Sequence, residues 1–275
     1  MIPPETHLQI GSLLFEGLDQ IDLTGPFEVL SRIPNATYRI YAPTAESVRD
    51  VRGLRLTPDA ALADAPQLDV LHVPGGFGQE ALMRDEAVLG WIRRQAGGAG
   101  HVFSVCTGAL LLGGAGLLRG RRATTHWSAF ALLPYFGAQP VDRRVVVDGS
   151  WVFAAGVTAG IDGALQLAAE LRGPEVAQAI QLGMEYAPSR PSTAARRGPP
   201  RPRSSSGRAP ASPRSPRGGR RPHAGSPPSS GSPSPPAGEA RLDHAGRTGA
   251  GDPRRGSVPM HRPRNPVTSP PSAPI

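Results

Sequence analysis

The chain has 275 residues with 30 Arg, no Lys and 22 Asp plus Glu, giving a net charge of +8 and a pI near 10.9. The charge is split: residues 1–187 sum to −5 and residues 188–275 to +13, which argues against nucleic-acid recognition by the larger part. A single cysteine excludes an internal disulfide and any Cys-cluster metal site.

No apolar run reaches the roughly 18 residues of a membrane span. The opening "MIPPETHLQIGSLLF" lacks the basic start and small-residue cleavage site of a secretory signal. The expectation is a soluble cytoplasmic protein with no membrane partner.

In chain order, "HLQIGSLLF" reads as a strand, and a turn with Asp19 and Asp22 follows it. A helix is predicted over "GPFEVLSRI", with Pro26 in its first turn. "YRIYAPT" is a short strand, and "LDVLHVPGG" is a buried strand ending in Gly75-Gly76. "QEALMRDEAVLGWIRRQA" has helical spacing, stopped by Gly97-Gly98. "HVFSV" is an apolar strand running into Cys106, and "TGALLLGGAGLL" continues as a helix.

Beyond them come "RRATTHW" and a helix around "SAFALLPYF". "RVVVDGSWVFAAG" reads as a hairpin about Asp148-Gly149. "TAGIDGALQLAAEL", with Thr158 as N-cap, and "PEVAQAIQLGMEY" close the series as helices. Strands alternating with helices predict an α/β domain over residues 1–188, a mostly parallel sheet sandwiched by helices. Residues 189–275 are expected to form a disordered Arg/Pro/Ser/Gly-rich tail, since the segment from 188 holds 21 of the 32 prolines and no Phe, Trp or Tyr.

Cys106 follows a buried strand and begins a Gly-containing turn into a helix. That is the context of a nucleophile elbow, where a sharp turn presents the side chain at the carboxyl edge of the sheet. The following helix N-terminus is expected to lower the thiol pKa and favour the reactive thiolate. The loop carrying Asp22 and the "PGG" at 74–76 should open onto the same edge.

The stretches "IDLTGPFEVL", "LDVLHVPGGFG", "SVCTGALLLGGAGLLRGRRATTHW", "VVVDGSW", "TAGIDGALQLAAEL" and "QLGMEYAP" resemble the isonitrile hydratase group of the ThiJ/PfpI superfamily. The resemblance covers nearly all of residues 7–188. It implies a flavodoxin-like fold shared with class I glutamine amidotransferases, and no metal or organic cofactor. It also implies a homodimer and hydration of a small isonitrile, R–N≡C, to the N-substituted formamide. The family's essential Asp, Cys and Thr fall on Asp22, Cys106 and Thr107.

These residue types suit that chemistry. The isonitrile carbon accepts a soft sulfur nucleophile, and one carboxyl group can hold and return the proton, with burial and the neighbouring thiolate raising its pKa. Thr107 is expected to orient water or Asp22, and the backbone N–H groups of Gly75 and Gly76 to hold developing charge.

Plainer readings stand beside these. Asp22 can cap the helix after it, Thr107 can be an ordinary first-turn residue, and Gly75-Gly76 a simple turn. His126, the residue a Cys–His dyad would use, reads as a packing or pocket-wall residue, while Phe77 and Trp127 can wall a pocket, although core packing is the favoured reading for both. His72 reads as a satisfied core residue, and Asp162 as a complement to its helix dipole. PfpI-type peptidases carry His directly after the Cys, where this chain has Thr107.

Two rival functions remain. One is the ligand-sensing module of AraC-type transcription regulators, which share a "RRATTHW"-like stretch; residues 188–275 lack the periodicity of their DNA-binding region. The other is a glyoxalase, deglycase or chaperone of the same superfamily, where the acid is usually Glu. The stretch "SRPSTAARRGPP" reads like GC-rich DNA translated out of frame, so a frameshift is expected to have replaced the native C-terminus. Resequencing that finds no restored frame beyond codon 188 would refute this.

Overall fold

The computed structural model describes residues 1–189 and Ser192. The tail assigned to 189–275, with its disorder and frameshift readings, otherwise lies outside the described residues. Strands run β1 Leu8–Leu13, β2 Ala36–Ala42, β3 Val48–Arg49, β4 Arg55–Leu56, β5 Ala60–Ala61, β6 Val70–Val73 and β7 His101–Val105. They continue as β8 Arg122–Ala123, β9 Gln139–Pro140, β10 Val145–Asp148 and β11 Trp151–Ala154. The α-helices are α1 Gln20–Leu30, α2 Gln79–Leu82, α3 Glu86–Gly98, α4 Gly108–Gly114, α5 Ala159–Arg172 and α6 Pro174–Gly183.

Seven strands form one sheet in the order β10-β11-β7-β6-β1-β2-β5. Every pairing is parallel except the β10–β11 hairpin. The pleat sends alternate residues to opposite faces. Ile10, Val70, Phe103, Val105 and Val152 pack with α1, α5 and α6. Leu13, Leu71, Val73, Val102 and Phe153 pack with α3 and α4 on the other face. This is the predicted helix-covered parallel sheet. The chain winds outward from β1 to β2 and β5, then returns to build β6, β7 and β11 on the other side. The ends of β1, β6 and β7 therefore flank the point where strand order reverses, which is where open α/β sheets form sites.

Several expectations are corrected. The first helix begins at Gln20, capped by Asp19, which accepts the Ile21 N–H at 3.2 Å. Pro26 therefore lies inside the helix rather than in its first turn. The helix predicted from Gln79 breaks in two because Asp85 accepts the Ala87 and Val88 N–H groups and caps α3. Residues 127–136 form a 3₁₀ helix. Asp148 pairs with Trp151, so the hairpin loop is Gly149-Ser150, one residue later than predicted. Thr158 starts α5 without a side-chain cap. Among the described residues no helix is long and apolar enough to cross a membrane.

Candidate active site

Cys106 directly follows the β7 strand in a left-handed conformation, with φ of 57°. For a residue with a Cβ that conformation costs about 1–2 kcal/mol, so the surroundings must hold it. The Cys106 N–H donates to the Ala154 carbonyl at 3.0 Å, and the Thr125 hydroxyl donates to the Cys106 carbonyl at 2.6 Å. With both backbone polar groups fixed, the turn can only project the thiol toward the strand ends, where it is 6% exposed.

Asp22 lies in the first turn of α1 and is fully buried. Its Oδ2 accepts the Gly75 N–H at 3.1 Å, while Oδ1 has no hydrogen-bond partner. The expected role of the glycine N–H groups is thus corrected. Gly75 binds Asp22, and Gly76 donates to Thr107 Oγ1 at 3.0 Å, because the loop folds inward onto the site's own side chains. A Cβ on Gly75 would lie 2.5 Å from the Thr107 nitrogen, and one on Gly76 2.3 Å from the Asp19 nitrogen. Only glycines allow this approach. The Thr107 hydroxyl returns a bond to the Gly76 carbonyl at 3.3 Å. It is engaged with the loop rather than with Asp22.

Electrostatics correct a second expectation. Burial raises the Cys106 thiol above its ordinary value, and the Asp22 charge raises it further. The Thr107 and Val157 N–H groups facing the sulfur pull the other way without overcoming burial. Asp22 rises to about 7 by burial first and the Asp19 charge second, opposed by the Cys106 thiol and the Gly75 N–H. Near neutral pH the thiol is protonated and the carboxyl is poised to accept or donate a proton.

His72 sits under this pair on β6. It is fully buried and stacked on Phe103 with ring centroids 5.0 Å apart. Ser12 Oγ and Tyr38 Oη lie 3.0 and 2.9 Å from its Nδ1. Nε2 faces the Asp22 backbone carbonyl without a hydrogen bond of good geometry, so the expected satisfied core residue is fully paired on one side only. Burial pushes His72 down to about 3, partly offset by the Asp22 backbone carbonyl beside it. Pro26, four residues after Asp22, has no N–H to occupy that carbonyl.

Phe77 and Trp127 are 83% and 62% exposed, which overturns core packing for both. His126 Nδ1 pairs with Ser128 Oγ at 2.8 Å, and its ring lies against Gly156 in the loop before α5. Two contributors, Thr125 and Val157, escaped the sequence reading, and Asp19 entered it only as a turn residue. Val157 has a φ of 34°, and no pattern in "GVTAGID" announces it. Among the described residues no cluster of His, Cys, Asp or Glu could hold a metal ion.

Residues 9–170 match the model of the DJ-1/PfpI family. The chain belongs to that family. It is 52% identical over 184 residues to the isonitrile hydratase of Pseudomonas putida, covering 67% of this chain and 81% of that protein. A ThiJ/PfpI family protein from Pseudomonas syringae superposes with a TM-score of 0.69 at 38% identity, covering 71% of this chain and 81% of the other. The HTH-type transcriptional regulator CdhR of Pseudomonas aeruginosa is 30% identical over 176 residues, 62% of this chain, which spans about half of the regulator (52%). Across the family fold, then, the same sheet serves proteins of different function, and the DJ-1/PfpI site itself must carry the functional argument.

Proposed function

We propose that this DJ-1/PfpI chain hydrates isonitriles to N-substituted formamides, with Cys106 as nucleophile. The observation that carries the reading is the buried Asp22–Cys106 pair, a protonated thiol against a carboxyl near pKa 7. The 52% identity to an isonitrile hydratase supports it.

Asp22 accepts the Cys106 proton as sulfur attacks the terminal carbon, and returns it to that carbon. The product is the thioimidate R–N=CH–S–Cys106. Asp22 then takes a proton from water as oxygen adds to the same carbon, and passes that proton to the nitrogen. Collapse of the tetrahedral adduct breaks the C–S bond and releases R–NH–CHO, while the hydroxyl proton moves through Asp22 to the leaving sulfur and restores the thiol. The sum is addition of one water. The Thr107 and Val157 N–H groups stabilise negative charge on sulfur as the C–S bond breaks. Thr107 and the Gly75-Gly76 turn hold Asp22 in place through the bonds described. Phe77 and Trp127 offer apolar walls for the R group, and the working unit is a homodimer.

Incubating the protein with cyclohexyl and aromatic isonitriles and following formamide formation tests the reading, with Cys106→Ala as control. Turnover abolished by the substitution is expected. No turnover from a folded protein with a titratable thiol overturns it. That result would favour a ligand-sensing module, a reading supported by the 30% identity to a transcriptional regulator.

A further inference from the structure

The closing "MEYAP" has no part in the steps above, yet the fold turns it back toward the site. Glu185, two residues past the end of α6, takes a left-handed φ of 48°, and its N–H donates to the Leu182 carbonyl at 3.0 Å. The Tyr186 N–H donates to the Gln181 carbonyl at 3.1 Å, and Gln181 Nε2 donates to the Tyr186 carbonyl at 3.1 Å. This reversal lays the Tyr186 ring against the start of α5, where its hydroxyl donates to Asp162 Oδ1 at 2.6 Å.

Asp162 also binds Arg144 Nε through Oδ2, so the expected dipole complement in fact has two side-chain partners. Arg144 grips both ends of the loop between β11 and α5. Its carbonyl accepts the Ala155 N–H at 2.9 Å, and its Nη2 donates to Thr158 Oγ1 at 3.3 Å. Between those two anchors stands Val157, a β-branched residue held at φ 34°. A β-branched residue at positive φ persists only when its neighbours over-determine it.

We infer that Tyr186, Asp162 and Arg144 form a positioning cluster that holds the Val157 N–H against the Cys106 sulfur, coupling the turn after α6 to the reactivity of the nucleophile. The inference rests on the reading of Cys106 as nucleophile. Val157 N–H is one of two backbone donors that favour the thiolate. A donor displaced by a fraction of an ångström loses much of that effect. Asp22 on α1 is the titratable side chain that faces the sulfur, and every variant below retains it.

The test reads Cys106 itself, the sole cysteine, by the rate of iodoacetamide alkylation across pH in the full chain. Tyr186→Phe keeps the ring and removes the bond to Asp162. Thr158→Val removes the loop's own anchor and serves where the first variant folds poorly. Both are expected to raise the alkylation midpoint and to slow alkylation at pH 8 by about three- to tenfold, less than the cost of a donor removed outright. A lowered Tm with an unchanged midpoint in both folded variants would mean a structural brace only, and would overturn the inference. The readout uses no isonitrile, so absence of hydration by the wild type overturns the hydratase reading alone.

Discussion

Asp22 and Cys106 act on each other inside the buried site: burial first, and the carboxylate charge after it, hold the thiol protonated, and the thiol in turn favours the ionised carboxyl. The nucleophile is thus not a standing thiolate. In the proposed reaction it is generated when Asp22 takes the proton, so the chemistry should follow the ionisation of the carboxyl.

For hydration, kcat/KM is expected to rise with pH between 6 and 8, with a midpoint near the Asp22 value of about 7. Asp22→Asn should abolish this limb and lower the rate by about 10²- to 10⁴-fold, the usual worth of a positioned acid–base group. A pH-rate profile of both proteins is the measurement.

The same carboxyl makes a prediction about stability, with a sign opposite to that of a salt-bridged acid. Folding raises Asp22 from 3.8 to about 7, so between those pH values the folded chain binds more protons than the unfolded one. Its contribution is complete below about pH 4 and is lost as pH rises through 7. Asp22→Asn should therefore gain stability over wild type progressively from pH 4 to 8, by at most on the order of 4 kcal/mol. Thermal unfolding at both pH values would show it.

Thr107→Val removes the hydroxyl that serves the Gly76 N–H and carbonyl. We expect a loss of about 1–3 kcal/mol from the stranded backbone groups and a fall in turnover as the Asp22-holding turn loosens. Thr107→Ser keeps the hydroxyl and should recover most of both, as read by urea unfolding beside the hydration assay.

Gly75→Ala places a methyl 2.5 Å from the Thr107 nitrogen. Overpacking of this kind costs about 1–3 kcal/mol. Here the strain falls on the two turns carrying Asp22 and Cys106, so activity should drop more steeply than Tm.

Arg172 gives a control far from the thiol. This buried guanidinium donates to the carbonyls of Ile2, Pro3, Thr6, Pro34 and Asn35. Arg172→Met should cost about 2 kcal/mol or more and open residues 2–6 to protease. Turnover at a temperature where the variant stays folded should not change.

What could be read from sequence was whatever depends on local pattern. The runs "LDVLHV" and "HVFSV" are apolar and bounded by glycine or a loop, so two central strands and the elbow after the second follow directly. Ala60–Ala61 is too short to leave any periodicity. Pro26 was misplaced because proline usually marks a helix start, whereas here it stands inside a helix. The thiol's ionisation was inferred from the helix end alone. Burial and Asp22 come from elements distant in sequence, and together they outweigh that local effect. The two glycines were recognised as special, but their partners, Asp22 and Thr107, became visible only with the loop folded.

The sheet's margins bear on how the protein behaves in crowded solution. One margin is β5, only two residues long, and the other is the four-residue β10, flanked by Arg143 and Arg144 at one end and carrying Asp148 at the other. A strand edge recruits foreign chains in proportion to the length of unpaired backbone it displays, and flanking charge discourages such recruitment. This domain therefore offers little template for fibril-like stacking, even though the interior strands β6 and β7 are apolar enough to stack if they were ever laid bare.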